Sequence, residues 1–199
     1  MAKIKSVKNF SKKEVILRAA AALFATKGFG AASMRNLADE LGIEAPSLYN
    51  HIGSKSQLLE EICFKVAQRF TDHLTEVEGL AQLNSVQKLE RILRFHITIT
   101  LADFYEVFVA NHEWKYLPEP LLTEFLQQRR QYEKRLIALV ETGIKKKEIK
   151  KINAYTAVLT CLSALRGLEF WQRNKRNVSA KELEEDMVAL LLYGIIKNQ

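Results

Sequence analysis

The sequence predicts an all-α protein of about nine helices: three short ones, a long connecting helix, then a larger bundle. Three observations carry that prediction. Apolar residues recur at helical spacing in nearly every segment, and no stretch shows convincing strand alternation. Glycine (8) and proline (3) are too scarce for a loop-dominated all-β or Pro-rich chain. Serines stand just before the periodic runs and glycines just after them, which is where caps and turns belong.

The elements follow in order. Ile16, Ala19, Ala20, Leu23 and Phe24 form one stripe of a first helix. Ser11 is its N-cap, Gly28 its left-handed end, and Phe29 is placed for the apolar contact that follows such an end. Ser33 caps a second helix that stops near Leu41-Gly42. A third covers about Ala45 to Ile52, with Pro46 in its first turn, where a missing N–H costs nothing. Ser54 to Gln57 has capping-box spacing and opens a longer helix with Leu59, Ile62, Val66 and Phe70 on one face. Gly79 to Ser85 is a break, after which Val86, Leu89, Leu93, Ile97 and Phe104 keep helical register. An aromatic-dense run from Phe104 to Tyr116 leads to Pro118 and Pro120, and the next long helix is expected to end at Gly143. After a basic loop, Asn153 to Gln172 reads as one helix, and Ser179 caps the last.

Composition bounds the function. With 48% apolar and 27% charged residues over 199 positions, the chain can bury a core and is not a disordered tail. The net charge is +7, moderate and uneven. Residues 1–60 hold nine basic against five acidic side chains, and five of the nine (Lys3, Lys5, Lys8, Lys12, Lys13) lie in the first 13 positions. A basic arm leading into a domain suits a phosphate backbone, and equally a solvated tail. Cys63 and Cys161 stand singly in apolar patterns, which points to neither a disulfide scaffold nor a zinc site. No apolar h-region follows the basic start, so no signal peptide is expected. The longest apolar run, Val188 to Ile196, is far short of the ~20 residues of a membrane span, and the expected location is the cytoplasm.

Residues 33–59 carry the sharpest signal. Leu37, Ala38 and Leu41 are spaced to face inward from the second helix, and Ala38 is small enough to let a neighbouring helix cross closely. Gly42 supplies the turn, Ile43 plugs the corner, and Leu48 and Ile52 anchor the third helix. Ala45, Pro46, Ser47, Asn50 and His51 are left outward, flanked by Tyr49. That face is short, polar and free of bulky aliphatics. A major groove admits one such helix, and Asn can bond two edges of adenine. A packed helical hairpin with no nucleic-acid role is the competing reading.

The stretch Leu-Gly-Ile-Glu-Ala-Pro-Ser-Leu-Tyr-Asn-His-Ile-Gly-Ser-Lys resembles the helix-turn-helix of the TetR family of bacterial transcription regulators. The likeness covers about residues 11–60; beyond that only length and helix count support it. It implies a helix-turn-helix domain over 1–60 and a ligand-binding and dimerisation domain over 61–199. Carried over by position, it puts Ser33 and Arg35 at the groove entrance, Arg35 as a candidate guanine reader. Ala45, Pro46, Ser47, Asn50 and His51 would meet the operator, and Tyr49 and Lys55 would hold phosphates. Two positions depart from the family pattern: Glu44 stands where Ser is common, and Met34 where a hydroxyl is frequent.

The resemblance also implies a homodimer on a double-stranded, palindromic operator, with the last two helices as interface. Independently, Val158, Cys161, Leu162 and Leu165, with Leu183, Met187, Leu190 and Leu191, present more apolar surface than one small core absorbs. The family's middle helices enclose a small-molecule effector, for which Phe104, Tyr105, Phe108, His112, Trp114, Phe125, Arg129 and Phe170 are candidate contacts; plain core packing is the alternative for each aromatic. No cofactor is implied. His112 and Glu113 are adjacent and cannot face one helical site, and no His-x-x-x-His, phosphate loop or nucleophile elbow appears, so neither an enzyme nor a metal protein is expected. An architectural helix-turn-helix protein and a constitutive repressor with a purely dimerising C-terminal domain are the remaining alternatives.

Overall fold

The computed structural model describes residues 11–174 and 178–194. Lys3, Lys5 and Lys8 of the basic arm, and the end of the apolar run at Ile195 and Ile196, lie outside the described residues. The helices are α1 (Lys12–Lys27), α2 (Met34–Leu41), α3 (Ala45–Tyr49), α4 (Lys55–Gly79), α5 (Ser85–Ala102), α6 (Phe104–His112), α7 (Leu121–Lys145), α8 (Ala154–Arg166), α9 (Leu168–Asn174) and α10 (Ala180–Tyr193), with a 3₁₀ turn at Trp114–Tyr116. The nine expected helices are recovered among the described residues when α8 and α9 are taken as one run split at Gly167. Two compact units result: the described residues up to Gln68 with Tyr105–Leu126, and Arg69–Phe104 with those from Gln127 onward.

In the first unit, local chemistry decides the helix ends. Ser11 and Glu14 close a capping box on α1, and Ser33 and Asn36 close another on α2. Gly28 follows α1 at φ 79°, ψ 147°, a positive-φ but extended conformation instead of the left-handed helical one expected, and Phe29 packs edge-on against Phe24 with centroids 5.2 Å apart. Gly42 sits at φ 66°, ψ 33°, the left-handed conformation that lets α2 stop and α3 begin within a few residues. Helix α3 ends at Tyr49, earlier than the periodicity suggests. The N–H groups of His51 (3.0 Å) and Ile52 (3.1 Å) both donate to the Leu48 carbonyl, which winds Asn50 and His51 into a tighter turn. Ser54 accepts from the Gln57 N–H at 3.1 Å and starts α4. Ile16, Ala20, Leu37, Ala38, Leu48, Leu58 and Leu59 are essentially inaccessible and form the core of this unit.

In the second unit, Asn84 caps α5 through a box with Gln87. Helix α7 passes through Gly143 and ends at Lys145. Gly143 is there for close approach: a Cβ on it would lie 2.5 Å from Ile149 Cδ1 and 2.9 Å from Ser85 Cβ. The chain then reverses at Lys147, φ 63°. Next to that reversal, the Ser85 N–H donates to Glu148 at 2.8 Å, and the hydrogen bonds from Ser85 hold the Glu148 carboxyl below its usual range. Gly167 bonds back to the Ala164 carbonyl at 2.9 Å and separates α8 from α9. Ser179 and Glu182 box the start of α10. Arg94 links α5 to α10 by pairing with Glu90 at 2.8 Å and Glu184 at 3.1 Å.

Candidate nucleic-acid interface and effector cavity

The α2–α3 pair separates its residues by face as the spacing demands. Leu37, Ala38, Ile43, Leu48 and Ile52 are buried and Leu41 is half-buried, while Ser33, Arg35, Pro46, Tyr49, Asn50 and His51 are exposed. Ala45 and Ser47 are half-buried beside them. Tyr49, 53% exposed in a unit whose other aromatics mostly pack, has no packing reason to be there. The side chains of Arg35, Asn50 and His51 make no hydrogen bond among the described residues, so their donors and acceptors point to solvent unspent.

Two of the expected contact residues already have work inside the fold. The Ser33 hydroxyl caps α2, accepting from the Asn36 N–H at 3.1 Å and donating to the Asn36 side chain at 2.9 Å. The half-buried Lys55 ammonium donates to the carbonyls of Phe29 and Ala32, both at 2.8 Å, and lies 4.3 Å from the centre of the Phe29 ring. At most one of its three N–H donors is left for a phosphate. Glu44 precedes α3 without making a side-chain cap, so its charge acts on the helix only through the dipole.

Within the same unit, the loop after α1 is held by α6 and the turn beyond it. The Phe29 N–H donates to the Glu113 carboxylate at 2.9 Å, the Phe29 and Tyr116 rings are 5.3 Å apart, and Arg18 stands 3.9 Å from Glu106. Sequence reasoning did not single out Glu113 for this role, because its partner is 84 positions away.

The eight candidate effector contacts are divided between the two units. Tyr105, Phe108, His112, Trp114 and Phe125 belong to the first unit, and Phe104, Arg129 and Phe170 to the second. Phe125 is buried against Phe64, Trp114 donates its indole N–H to the Asn111 carbonyl, and Phe170 is 75% exposed. The second unit contains an apolar cavity of about 20 Å³ between α5, α7 and α8. Its wall includes Val158, Cys161, Leu162 and Leu165, expected from the sequence at a subunit interface, and none of the eight. Val158 and Leu165 are buried in the protomer. The exposed apolar side chains of α8 and α10 are Tyr155, Leu159, Leu190 and Tyr193; of these only Leu190 is among the expected interface residues, and Leu183, Met187 and Leu191 are half-buried. Tyr155 and Leu159, four apart on α8, could have been found by the same helical spacing. Burial pushes the Cys161 thiol above its usual pKa, as expected of a packing residue.

Comparison with known proteins bears on the whole chain. The family described as bacterial regulatory proteins, tetR family, matches residues 16–62, and the tetracyclin repressor-like C-terminal domain matches residues 82–195. The HTH-type transcriptional repressor KstR2 of Mycolicibacterium smegmatis is 22% identical over 196 residues, covering 95% of this chain and 93% of that one. KstR2 of Rhodococcus jostii is 33% identical over 118 residues, 55% of this chain and 57% of that one. Among solved structures, the ketosteroid transcriptional regulator KstR2 of Mycobacterium tuberculosis superposes with a TM-score of 0.87 at 20% identity, covering 98% of this chain and 100% of that one. AibR in complex with isovaleryl coenzyme A and operator DNA superposes with a TM-score of 0.79 at 21% identity, covering 92% and 98%. At such identities these superpositions speak for the fold.

Proposed function

Since the chain belongs to the TetR family of bacterial transcription regulators, we propose that it acts as a homodimeric repressor that a small apolar or aromatic effector releases from a palindromic operator. Membership makes it a DNA-binding transcription regulator and not an enzyme. The repressor reading draws support from the KstR2 relatives, and effector control from AibR, whose structure holds both an acyl thioester and operator DNA.

The observation that carries the reading is the face of α2–α3, with Arg35, Tyr49, Asn50 and His51 exposed over a buried Leu37, Ala38 and Leu48. In the proposed complex Arg35 reads a guanine, Asn50 and His51 reach base edges with Ala45, Pro46 and Ser47 closing on the groove wall, and Tyr49, Ser33 and the remaining Lys55 donor meet phosphates. Residues 1–60 do the binding and 61–199 the sensing and dimerising. Subunits join through the outer apolar side chains of α8 and α10, which sets two α3 helices one helical turn of DNA apart. Helix α4, continuous over Lys55–Gly79, is the lever. A coupling of about 1–3 kcal/mol lowers operator affinity roughly 5–150-fold. The protein works in the cytoplasm; no described helix is long and apolar enough to cross a membrane.

Selection of operators from random duplexes by the purified chain, repeated with a panel of acyl thioesters and ketosteroids, tests the proposal. A palindromic consensus whose binding one probe weakens is the expected result. Binding no tighter to the best duplex than to heparin, or a monomer at every concentration, would sink it.

A further inference from the structure

The cavity between α5, α7 and α8 is aliphatic apart from two of its lining residues, His96 and Cys161. Cys161 brings only a weakly polar thiol, so His96 is the one strong hydrogen-bonding group in the wall. His96 is nine-tenths buried. Two neighbours fix its ring. Phe70 stacks on it with centroids 4.2 Å apart and planes at 15°, and the Tyr132 hydroxyl lies 2.6 Å from Nε2. Burial, with a smaller push from His73, lowers the imidazole pKa to about 3, so the ring is neutral at any physiological pH.

Hydrogen bookkeeping then says what the pair offers. A neutral imidazole carries one N–H and a phenol one O–H, and their mutual bond uses one of the two hydrogens. If Nε2–H donates to the tyrosine, the hydroxyl hydrogen remains; if the hydroxyl donates to Nε2, the Nδ1–H remains. Of the two only His96 lines the cavity, so the tautomer that serves a ligand is the one in which the hydroxyl donates to Nε2 and the Nδ1–H remains, in a wall that includes no cation. A volume of about 20 Å³ is room for a single small group, so a ligand presents one end here and parts side chains to seat the rest.

We propose that His96, backed by Tyr132, is the specificity-determining residue of the effector cavity, donating a hydrogen bond to one uncharged carbonyl or hydroxyl oxygen on an otherwise apolar effector. This rests on reading the cavity as the effector site. Ketones, esters, thioesters and alcohols fit; a free carboxylate does not, because its charge would lose its hydration with no countercharge in the wall.

The test is calorimetric titration of the full chain with four aliphatic probes of one carbon skeleton: ketone, alcohol, carboxylate and alkane. Wild-type protein should bind ketone or alcohol about tenfold more tightly than alkane, the worth of one buried hydrogen bond, and should reject the carboxylate. His96→Leu should abolish that preference while keeping alkane binding. Tyr132→Phe, the conservative change that keeps the core filled, should reduce the preference without loss of helicity, and serves if His96→Leu does not fold. Ala157→Leu, which fills the cavity, should end binding of all probes. A preference for the oxygenated probes that survives both His96→Leu and Tyr132→Phe, or tight carboxylate binding, overturns the role of His96. Probe binding that survives Ala157→Leu, or no probe binding at all, overturns instead the reading of the cavity as the effector site.

Discussion

The α2–α3 face and the α5–α7–α8 cavity are both polar–apolar arrangements, yet they are assembled differently. The face draws everything from one stretch ending before residue 53: one serine cap, one turn glycine, and an inward stripe whose complement is the outward contact set. The cavity draws on side chains from Leu89 to Leu165, and its one strong polar group meets its partner 36 positions along the chain. The site made by local periodicity leaves the side chains of Arg35, Asn50 and His51 exposed and unspent, with only the Ser33 hydroxyl engaged as a cap. A site made by tertiary packing has to satisfy its polar groups internally first, and only the leftover hydrogen is free for a ligand.

That difference can be broken or sharpened by mutation. The largest effect is expected at Leu48, fully buried beneath the exposed face: Leu48→Ala should lower stability by about 2–5 kcal/mol in denaturant titration, and take operator binding with it. If binding survives with stability unchanged, the face does not depend on its inner stripe. Gly143→Ala is next. With Ile149 and Ser85 already where the new methyl must go, it should cost roughly 1–3 kcal/mol, the toll of overpacking, and spare sequence preference at the operator. An unchanged melting temperature would show that the α7–α8 loop yields freely. Arg35→Ala should leave stability alone and weaken the selected operator by about 1–3 kcal/mol, relaxing preference at one base pair. Equal losses on specific and random duplex would make Arg35 a phosphate contact only. The smallest effect on DNA belongs to Lys55→Met. Because its ammonium already serves two carbonyls and keeps one donor for DNA, the variant should lose stability and lower the salt slope of DNA binding by no more than about one phosphate's worth. An unchanged salt slope would remove Lys55 from the interface.

What could be read from the sequence follows the same division. Ser11, Ser33, Ser54 and Ser179 all cap the helices their spacing assigned to them, and Gly28 and Gly42 both take positive φ. These are decided by neighbours within four residues. Gly143 was legible only as a glycine: whether it ends a helix or admits Ile149 depends on a side chain that folds back onto it. The break at Gly167 and the early end of α3 were likewise invisible to periodicity, since Leu165, Leu168 and Ile52 keep apolar spacing across both. For the sites, the outward residues of α3 were readable because inside and outside alternate with the helix. His96 was passed over because a histidine among Leu89, Leu93 and Ile97 looks like core until Tyr132 is brought to it.

The hydrogen bond from the Phe29 N–H to Glu113 has a consequence for anyone wishing to transplant the reading head. Cutting after residue 60 would strip the loop beyond α1 of its carboxylate acceptor and of Tyr116, whose ring lies 5.3 Å from that of Phe29. A chimera that exchanges recognition specificity between regulators must therefore carry residues 105–126 along with the amino-terminal portion, as a graft of two pieces.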